Sequence, residues 1–344
     1  MTTLSPEGPA CPAARQVSLV IIGRNEEQFI RGAIASALAA AAHVAPSEVL
    51  YVDSASTDRT VEYAKAFPIR ILQLKPEWTL TPAAGRYTGF RHTAGEYVFF
   101  IDGDTEVEGP WLASAIEFLR THPEYGAVAG VVNEIWVDRD GNHIGGQDNI
   151  FGQDLSAKVW DVKSLGGIAV YRRCALEQAG NFNPFVPAGE EREVALRIRM
   201  AGFKLARIEG VMGCTHADNR QSWREIVRRF NTSFYDYGVL IRYSAVYGAG
   251  LKVVLEEIPY VVSFLCFGLF LILVTPVAIA LGLTHVLCGI VILALFALIV
   301  KKGLKGACLS ICIRSISAYR TLLSLMRTKP LSSESYPTDV IHVQ

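Results

Sequence analysis

Apolar residues keep two rhythms over the first two hundred positions. Short runs rich in β-branched and aromatic residues at 17–22, 48–52, 69–74 and 96–101 each stop at polar or turn residues, and they predict strands. Between them the spacing changes. Residues 26–42 place Phe29, Ile30, Ala33, Ile34, Ala37 and Leu38 three and four apart, as a helix with one buried face requires. Residues 57–65 read the same way, with Ser56 or Thr57 as N-cap. This alternation predicts an α/β domain with a mixed, mostly parallel sheet over residues 16–220.

The pattern breaks after position 220. Residues 221–252 form a basic amphipathic stretch that includes Trp223, Arg224, Arg228 and Arg229, and apolar sequence follows from position 253. Residues 258–283 carry no charge and are long enough for a helix to cross a hydrocarbon core of ~30 Å; residues 284–300 sit at the lower limit of ~17. The turn at 282–285 makes residues 253–302 a predicted transmembrane hairpin. Arg224, Arg228, Arg229 and Arg242 precede it and Lys301, Lys302, Lys305 and Arg314 follow it. Both flanks are therefore expected on the cytoplasmic face, at an inner or cytoplasmic membrane, with an even number of crossings. Residues 303–330 mix apolar positions with Arg314 and Arg320 and predict an interfacial helix, with a third crossing as the alternative. The ends, 1–15 and 331–344, are polar or Pro-containing and are expected to be disordered.

Composition agrees with this division. Hydrophobic residues make up 51% of the 344, and the apolar C-terminal third accounts for the excess. Thirty-three Lys and Arg balance 33 Asp and Glu, so the chain has no electrostatic footprint of a nucleic-acid binder. Seven scattered cysteines, with no CxxC pair, predict neither a disulfide framework nor a zinc site, and reduced thiols are expected.

The chemistry begins at Asp102-Gly103-Asp104, directly after the strand at 96–101. Open α/β sheets bind ligands at such strand ends. Two carboxylates one small residue apart suit Mg²⁺ or Mn²⁺, which shares its other positions with phosphates and water. Acidic turns after strands are common, and context is what gives this one weight. Arg24, Asn25 and Glu26 follow the first strand, Asp53 to Asp58 follow the second, and Arg86 precedes the fourth.

In this ordered series the chain resembles the family 2 glycosyltransferases, over roughly residues 16–218. The resemblance implies a GT-A-type nucleotide-sugar-binding fold followed here by C-terminal transmembrane or interfacial helices. It also implies that Arg24, Asn25, Glu26 and Asp53 contact the nucleotide, with Asp53 accepting from the base. Asp102 is implied beside the ribose, and Asp104, with Asp102, on the metal. Arg86 is a candidate for diphosphate or nucleotide contact, although the Asn that often follows this Arg in the family is Tyr87 here.

Residues 165–184 resemble the acceptor-side half of the same family, where Gly166 and Gly167 would let backbone approach the sugar. Glu191 matches the family's Asp proposed as catalytic base, with Glu190 its neighbour. His216 matches a further metal ligand of some members. The Gln-x-x-Arg-Trp signature of the processive synthases is not matched at Gln221 to Arg224.

Together these features imply an inverting transferase that moves one sugar from a nucleoside-diphosphate sugar to a lipid-linked or membrane-proximal acceptor. A nucleotidyltransferase is the lesser alternative, because the first loop lacks a Gly-rich phosphate cradle. An inactive scaffold or sugar-nucleotide sensor is the other, and the acidic residues Asp102, Asp104 and Glu191 argue against it.

Overall fold

Every run predicted as a strand forms one in the computed structural model, which describes residues 17–138, 141–154, 156–217, 227, 236–256 and 258–344. The strands are β1 (Val17–Gly23), β2 (Ser47–Asp53), β3 (Arg70–Gln73), β4 (Tyr97–Asp102), β5 (Thr105–Val107), β6 (Tyr125–Val137), β7 (His143–Gln147), β8 (Val159–Asp161), β9 (Ala169–Arg172), β10 (Lys204–Ala217) and β11 (Ile341–His342). Helices α1 (Ile30–Ala42), α2 (Thr60–Ala64), α3 (Pro82–Arg91), α4 (Gly109–Thr121), α5 (Arg173–Gln178) and α6 (Glu190–Met200) lie between them. The chain divides into two compact units, one running to Val227 and including Leu331–Gln344, the other Arg228–Pro330.

In the first unit the strand order is β11-β3-β2-β1-β4-β9-β6-β10-β5, with β7 on β6 and β8 on β10. Strands β3, β2, β1 and β4 are mutually parallel; β9 runs antiparallel between β4 and β6. The sheet is mixed, as the pattern predicts. Fully buried Leu19, Val20, Ile21, Phe99, Phe100 and Ile101 on the two central strands form the middle of its core. Burial of such side chains is worth about 1.5–3 kcal/mol each. Helix α3 lies close against β1 because Gly85 and Gly89 leave room for Ile22 and Val20, and that contact fixes where Arg86 stands.

Two expectations change. Helix α1 starts at Ile30, not at residue 26, because the preceding turn is held from outside. The Glu26 amide donates to Thr60 Oγ1 at 2.7 Å and the Glu27 amide to Asp58 Oδ2 at 3.3 Å. The tail 331–344, expected to be disordered, is instead packed on the α/β unit. Tyr336 is buried, Ile341 and His342 add β11 antiparallel to β3, and Lys75 pairs with Asp339. One aromatic anchor and a short edge strand outweigh the polar composition around them.

The second unit contains helices Tyr237–Val246, Gly250–Glu256, Pro259–Ala280 and Thr284–Arg327, the last broken at Gly303 (φ 71°, ψ 164°). Pro259–Ala280 and the first part of Thr284–Arg327 are long and apolar enough to cross a membrane, with 6% and 0% of their most apolar stretches buried. They fit a membrane anchor. Beyond Gly303 the chain buries Ala307, Ser317, Ala318, Thr321 and Ser324, and Arg320 pairs with Asp236 at 2.7 and 2.9 Å. Residues 1–16 and most of the basic stretch, with Trp223, Arg224, Arg228 and Arg229, lie outside the described residues. Cys214, Cys266, Cys288, Cys308 and Cys312 are free, but Cys174 is disulfide-bonded, against the expectation of reduced thiols.

Candidate active site

The C-terminal ends of β1, β2 and β4 bring three polar loops together. Asn25, at φ +60°, turns the first of them. Its Oδ1 accepts from the Thr57 amide at 2.8 Å and its own amide donates to Ser56 Oγ at 2.9 Å, joining the loops after β1 and β2. Asp58 closes the seam by accepting from the Glu27 and Thr60 amides. Arg24 and Asn25 stay exposed on the rim.

Asp53, expected to face a base, is fully buried. Its carboxylate accepts from Tyr51 Oη (2.9 Å), the Ser56 amide (2.8 Å), Ser56 Oγ and Gln73 Nε2 (2.9 Å). In this arrangement it shapes the turn at residues 54–57 and does not offer a free oxygen. Ser56, Asp58, Thr60 and Gln73 are the residues that sequence reasoning missed here. The Asp53 to Asp58 run was the available signal, but the partners of each carboxylate depend on loops 30 residues apart in the chain.

Asp102 ends β4, and Asp104 sits at the turn into β5. Beside them Glu26 is crowded: burial, and the charges of Asp104, Asp102 and Asp58, push its carboxyl up to about 8. His216, on β10, stacks on Phe29 with ring centroids 4.9 Å apart, and its Nδ1 lies 3.2 Å from the Asp104 carbonyl oxygen. A carbonyl only accepts, so Nδ1 is the donor in this contact and Nε2 is the ring nitrogen left to ligate. Among the described residues no three His, Cys, Asp or Glu side chains converge as a closed metal cage. Asp102 and Asp104 offer carboxylate oxygens, the donor type that a hard divalent ion prefers.

Arg86 is at the centre. It is 2% exposed, too deep for the expected diphosphate contact. Its Nη2 donates to Asp102 Oδ1 at 2.7 Å and to the Gly167 carbonyl at 2.9 Å, while Nη1 donates to Glu190 Oε1 at 2.8 Å. Burial alone would lower this guanidinium's pKa, but Asp102 and Glu190 outweigh it and hold the value above the ordinary one. One planar fork thus ties the acidic turn after β4 to the N-terminus of α6. Sequence shows the three residues but not this geometry, since Glu190 lies 104 positions from Arg86.

Gly167 is needed for the same contact. A Cβ there would come within 2.7 Å of Asp102 Oδ2 and 2.8 Å of Arg86 Nη2, whereas one at Gly166 would meet the ring of Phe151. Both glycines thus serve protein packing. Gly189, at φ +74°, caps α6 in the left-handed region and turns Glu190 inward. Glu190 is buried, and that burial, with Glu191 beside it, raises its carboxyl while Arg86 opposes the shift. Glu191, one position on, is only partly buried. The two carboxylates are thus distinguished: Glu190 is held by the arginine, and Glu191 is placed nearer solvent.

The sequence profile of the family described as Glycosyl transferase family 2 matches residues 18–179. The O-antigen chain rhamnosyltransferase WbaN of Salmonella anatum is 25% identical over 211 residues, 56% of this chain, and the match spans only 62% of that relative's own length. Among solved structures, S. aureus TarS 1–349 in complex with UDP superposes with a TM-score of 0.48 at 18% identity, covering 67% of this chain and 64% of that one. The same protein in complex with UDP-GlcNAc gives 0.47 at 15% identity, covering 70% and 76%. The family profile spans β1 to β9 and so takes in the acidic turn and Arg86. Residues 18–179 of the α/β unit thus carry the profile of the family 2 glycosyltransferases.

Proposed function

We propose that this chain is a membrane-anchored, metal-dependent, inverting glycosyltransferase. It moves one sugar from a nucleoside-diphosphate sugar to a lipid-linked or other membrane-proximal acceptor of a cell-surface glycan. The observation that carries this reading is the buried Arg86 fork, which couples the Asp102 turn to Glu190 at the start of α6. An acidic turn suited to the donor and the start of α6, which carries Glu191, are thereby held in one rigid frame.

The rim residues Arg24, Asn25 and Glu26, with the turn that Asp53 shapes, receive the nucleotide. Asp104 and Asp102, with His216 beside them, would hold Mg²⁺ or Mn²⁺, which would supply counter-charge for a diphosphate. Glu191 takes the proton of the acceptor hydroxyl as that oxygen bonds to the anomeric carbon, and the diphosphate departs from the opposite face with the bonding electron pair. Glu190 does not act as the base, because Arg86 holds it. The relative's printed name, an O-antigen chain rhamnosyltransferase, supports a surface glycan as the product. The two apolar helices support an acceptor presented at a membrane.

A donor screen on the full chain in nanodiscs tests this. UDP-, GDP- and dTDP-sugars are offered with Mn²⁺, Mg²⁺ or EDTA, with and without polyprenyl phosphate, and release of nucleoside diphosphate is followed. The expected result is metal-dependent release from one donor, stimulated by lipid and lost in Asp104→Ala. If no donor binds or turns over in a metal-dependent way, the proposal fails and a scaffold role takes its place.

A further inference from the structure

We infer that the C-terminal tail is a positioning strap for the transfer site, with Tyr336 as its anchor. This inference rests on the proposed transferase reading. Tyr336 is 2% exposed although it lies in a polar stretch. Its ring meets three others edge-on: Trp78 at 5.6 Å, Tyr87 at 5.9 Å and Phe185 at 5.5 Å between centroids. Its hydroxyl donates to the Thr79 carbonyl at 2.8 Å, and at the other end of the tail Asn183 Nδ2 donates to the Leu331 carbonyl at 3.0 Å.

The partners belong to the two elements that the Arg86–Glu190 pair joins. Tyr87 is the next residue after Arg86 on α3, and Phe185 lies on the loop that leads through Gly189 into Glu190. These elements touch independently at the start of α3, where Thr81 Oγ1 accepts from the Ala84 amide and donates to the Pro184 carbonyl at 2.7 Å. Tyr336 fills the wedge beside that contact. Removing the ring frees α3 and the 183–189 loop to shift against each other, and the guanidinium loses its fixed reach to Glu190. Edge-on aromatic contacts add to what the buried area of a ring contributes, and three of them hold this wedge. Pairing of β11 with β3 and the Lys75–Asp339 ion pair hold the tail from its far end. That far end touches neither Arg86 nor Glu190, so it serves as the control.

The test uses the full chain in nanodiscs and four variants: Tyr336→Phe, Tyr336→Leu, Tyr336→Ala and Ile341→Pro. Thermal unfolding, kcat and donor KM for nucleoside-diphosphate release, and amide hydrogen exchange over residues 82–91 and 183–189 are measured. Displacement of a reacting group by 1 Å costs up to ~100-fold, so Tyr336→Ala is expected to lose kcat by about 10- to 100-fold with donor KM little changed. Exchange over both segments should quicken. Tyr336→Phe, which keeps the ring, restores kcat, and Ile341→Pro lowers Tm without a matching loss of kcat. If Tyr336→Ala does not fold, Tyr336→Leu takes its place, with the same expectation. Wild-type kcat and exchange in the variant lacking the ring, or a loss of kcat that simply follows Tm across the series, overturns the strap. If the wild-type chain turns over no donor, the transferase reading has failed separately, and exchange alone decides: unchanged protection of the two segments overturns the strap, and faster exchange supports it.

Discussion

Gly167 and Gly166 adjoin in the chain but face different neighbours, and their substitution separates site geometry from ordinary packing. Gly167→Ala forces a methyl group against Asp102 and Arg86, atoms that cannot yield without moving the fork. A loss of about 1–3 kcal/mol is expected, as for overpacking, together with a fall in kcat. Gly166→Ala meets only the far end of Phe151, which is 48% exposed and can swing away, so about 1 kcal/mol or less is expected. Thermal unfolding and turnover of the two variants check this; equal effects would show that Gly167 has no special relation to the site. Glu26 gives a pH signature. Its carboxyl is raised from an ordinary 4.5 to about 8, by burial and then by Asp104, Asp102 and Asp58. The folded state therefore holds a proton that the unfolded chain has already released. Stability from this group is complete below pH 4.5 and is lost as pH rises toward 8, by at most ~1.4 kcal/mol per pH unit. Glu26→Gln is expected to flatten that decline, and added Mg²⁺ or Mn²⁺ to reduce it in the wild-type chain; Tm against pH from 5 to 8 decides. At this scale the sequence reveals the residue types at Asp102, Asp104, Arg86 and Glu190. It does not reveal which carboxylate Arg86 holds, because that depends on a through-space pairing across 104 positions.

Elements were legible where periodicity is strong. The strands at β1, β2, β3 and β4 each match a predicted run to within a residue at either end, because their β-branched and aromatic residues fill a sheet buried on both faces. The start of α1 was not legible, because the turn before it is tied to Asp58 and Thr60, more than 30 residues away in the chain, by contacts that periodicity does not show. The tail was not legible either: a two-residue strand and one buried tyrosine leave no period to detect. The last helical segment gave a mixed result. Gly303 breaks the helix between the apolar span and this segment, which buries the small residues Ala307, Ser317, Ala318, Thr321 and Ser324 and pairs Arg320 with Asp236. Gly238 on helix Tyr237–Val246 lies against the backbone of Thr321 and Leu325 and the hydroxyl of Ser324, so a Cβ there has no space. Gly238→Leu is therefore expected to separate the two helices and cost about 1–3 kcal/mol. The check is thermal unfolding in detergent, with Gly268→Leu as the control, because a Cβ at Gly268 meets nothing within 4 Å. Similar Tm values for the two variants would remove Gly238 from the packing.

For the whole molecule, the return of the tail constrains topology. The chain leaves the α/β unit after Val227 and rejoins it at Leu331, where β11 completes the edge of the same sheet. A strand cannot pair with β3 from across a bilayer, so in a membrane residues 228–330 must cross an even number of times. Two apolar helices satisfy this as a hairpin. A third crossing by the segment after Gly303 would carry β11 to the wrong side. On the proposed reading, the basic flanks Arg242, Lys301, Lys302 and Lys305 predict that the α/β unit faces the cytoplasm. Single cysteines at Arg59, Gly282 and Glu334, in a background with the free thiols replaced, test the arrangement with an impermeant maleimide on sealed, oriented vesicles. Positions 59 and 334 are expected to label from one face and 282 from the other. Labelling of 59 and 334 from opposite faces would break the even count, and labelling of all three from one face would remove the crossings. Cys174 supplies a second reading of the compartment, because a disulfide persists on an oxidising face and is reduced in the cytoplasm. The Cys174 disulfide and the basic flanks thus point to opposite faces, and alkylation of Cys174 in intact cells without added reductant is the outcome that agrees with the flanks. A Cys174 that resists alkylation until reduced would place the catalytic unit on the opposite face, where a nucleoside-diphosphate sugar would have to be delivered across the membrane.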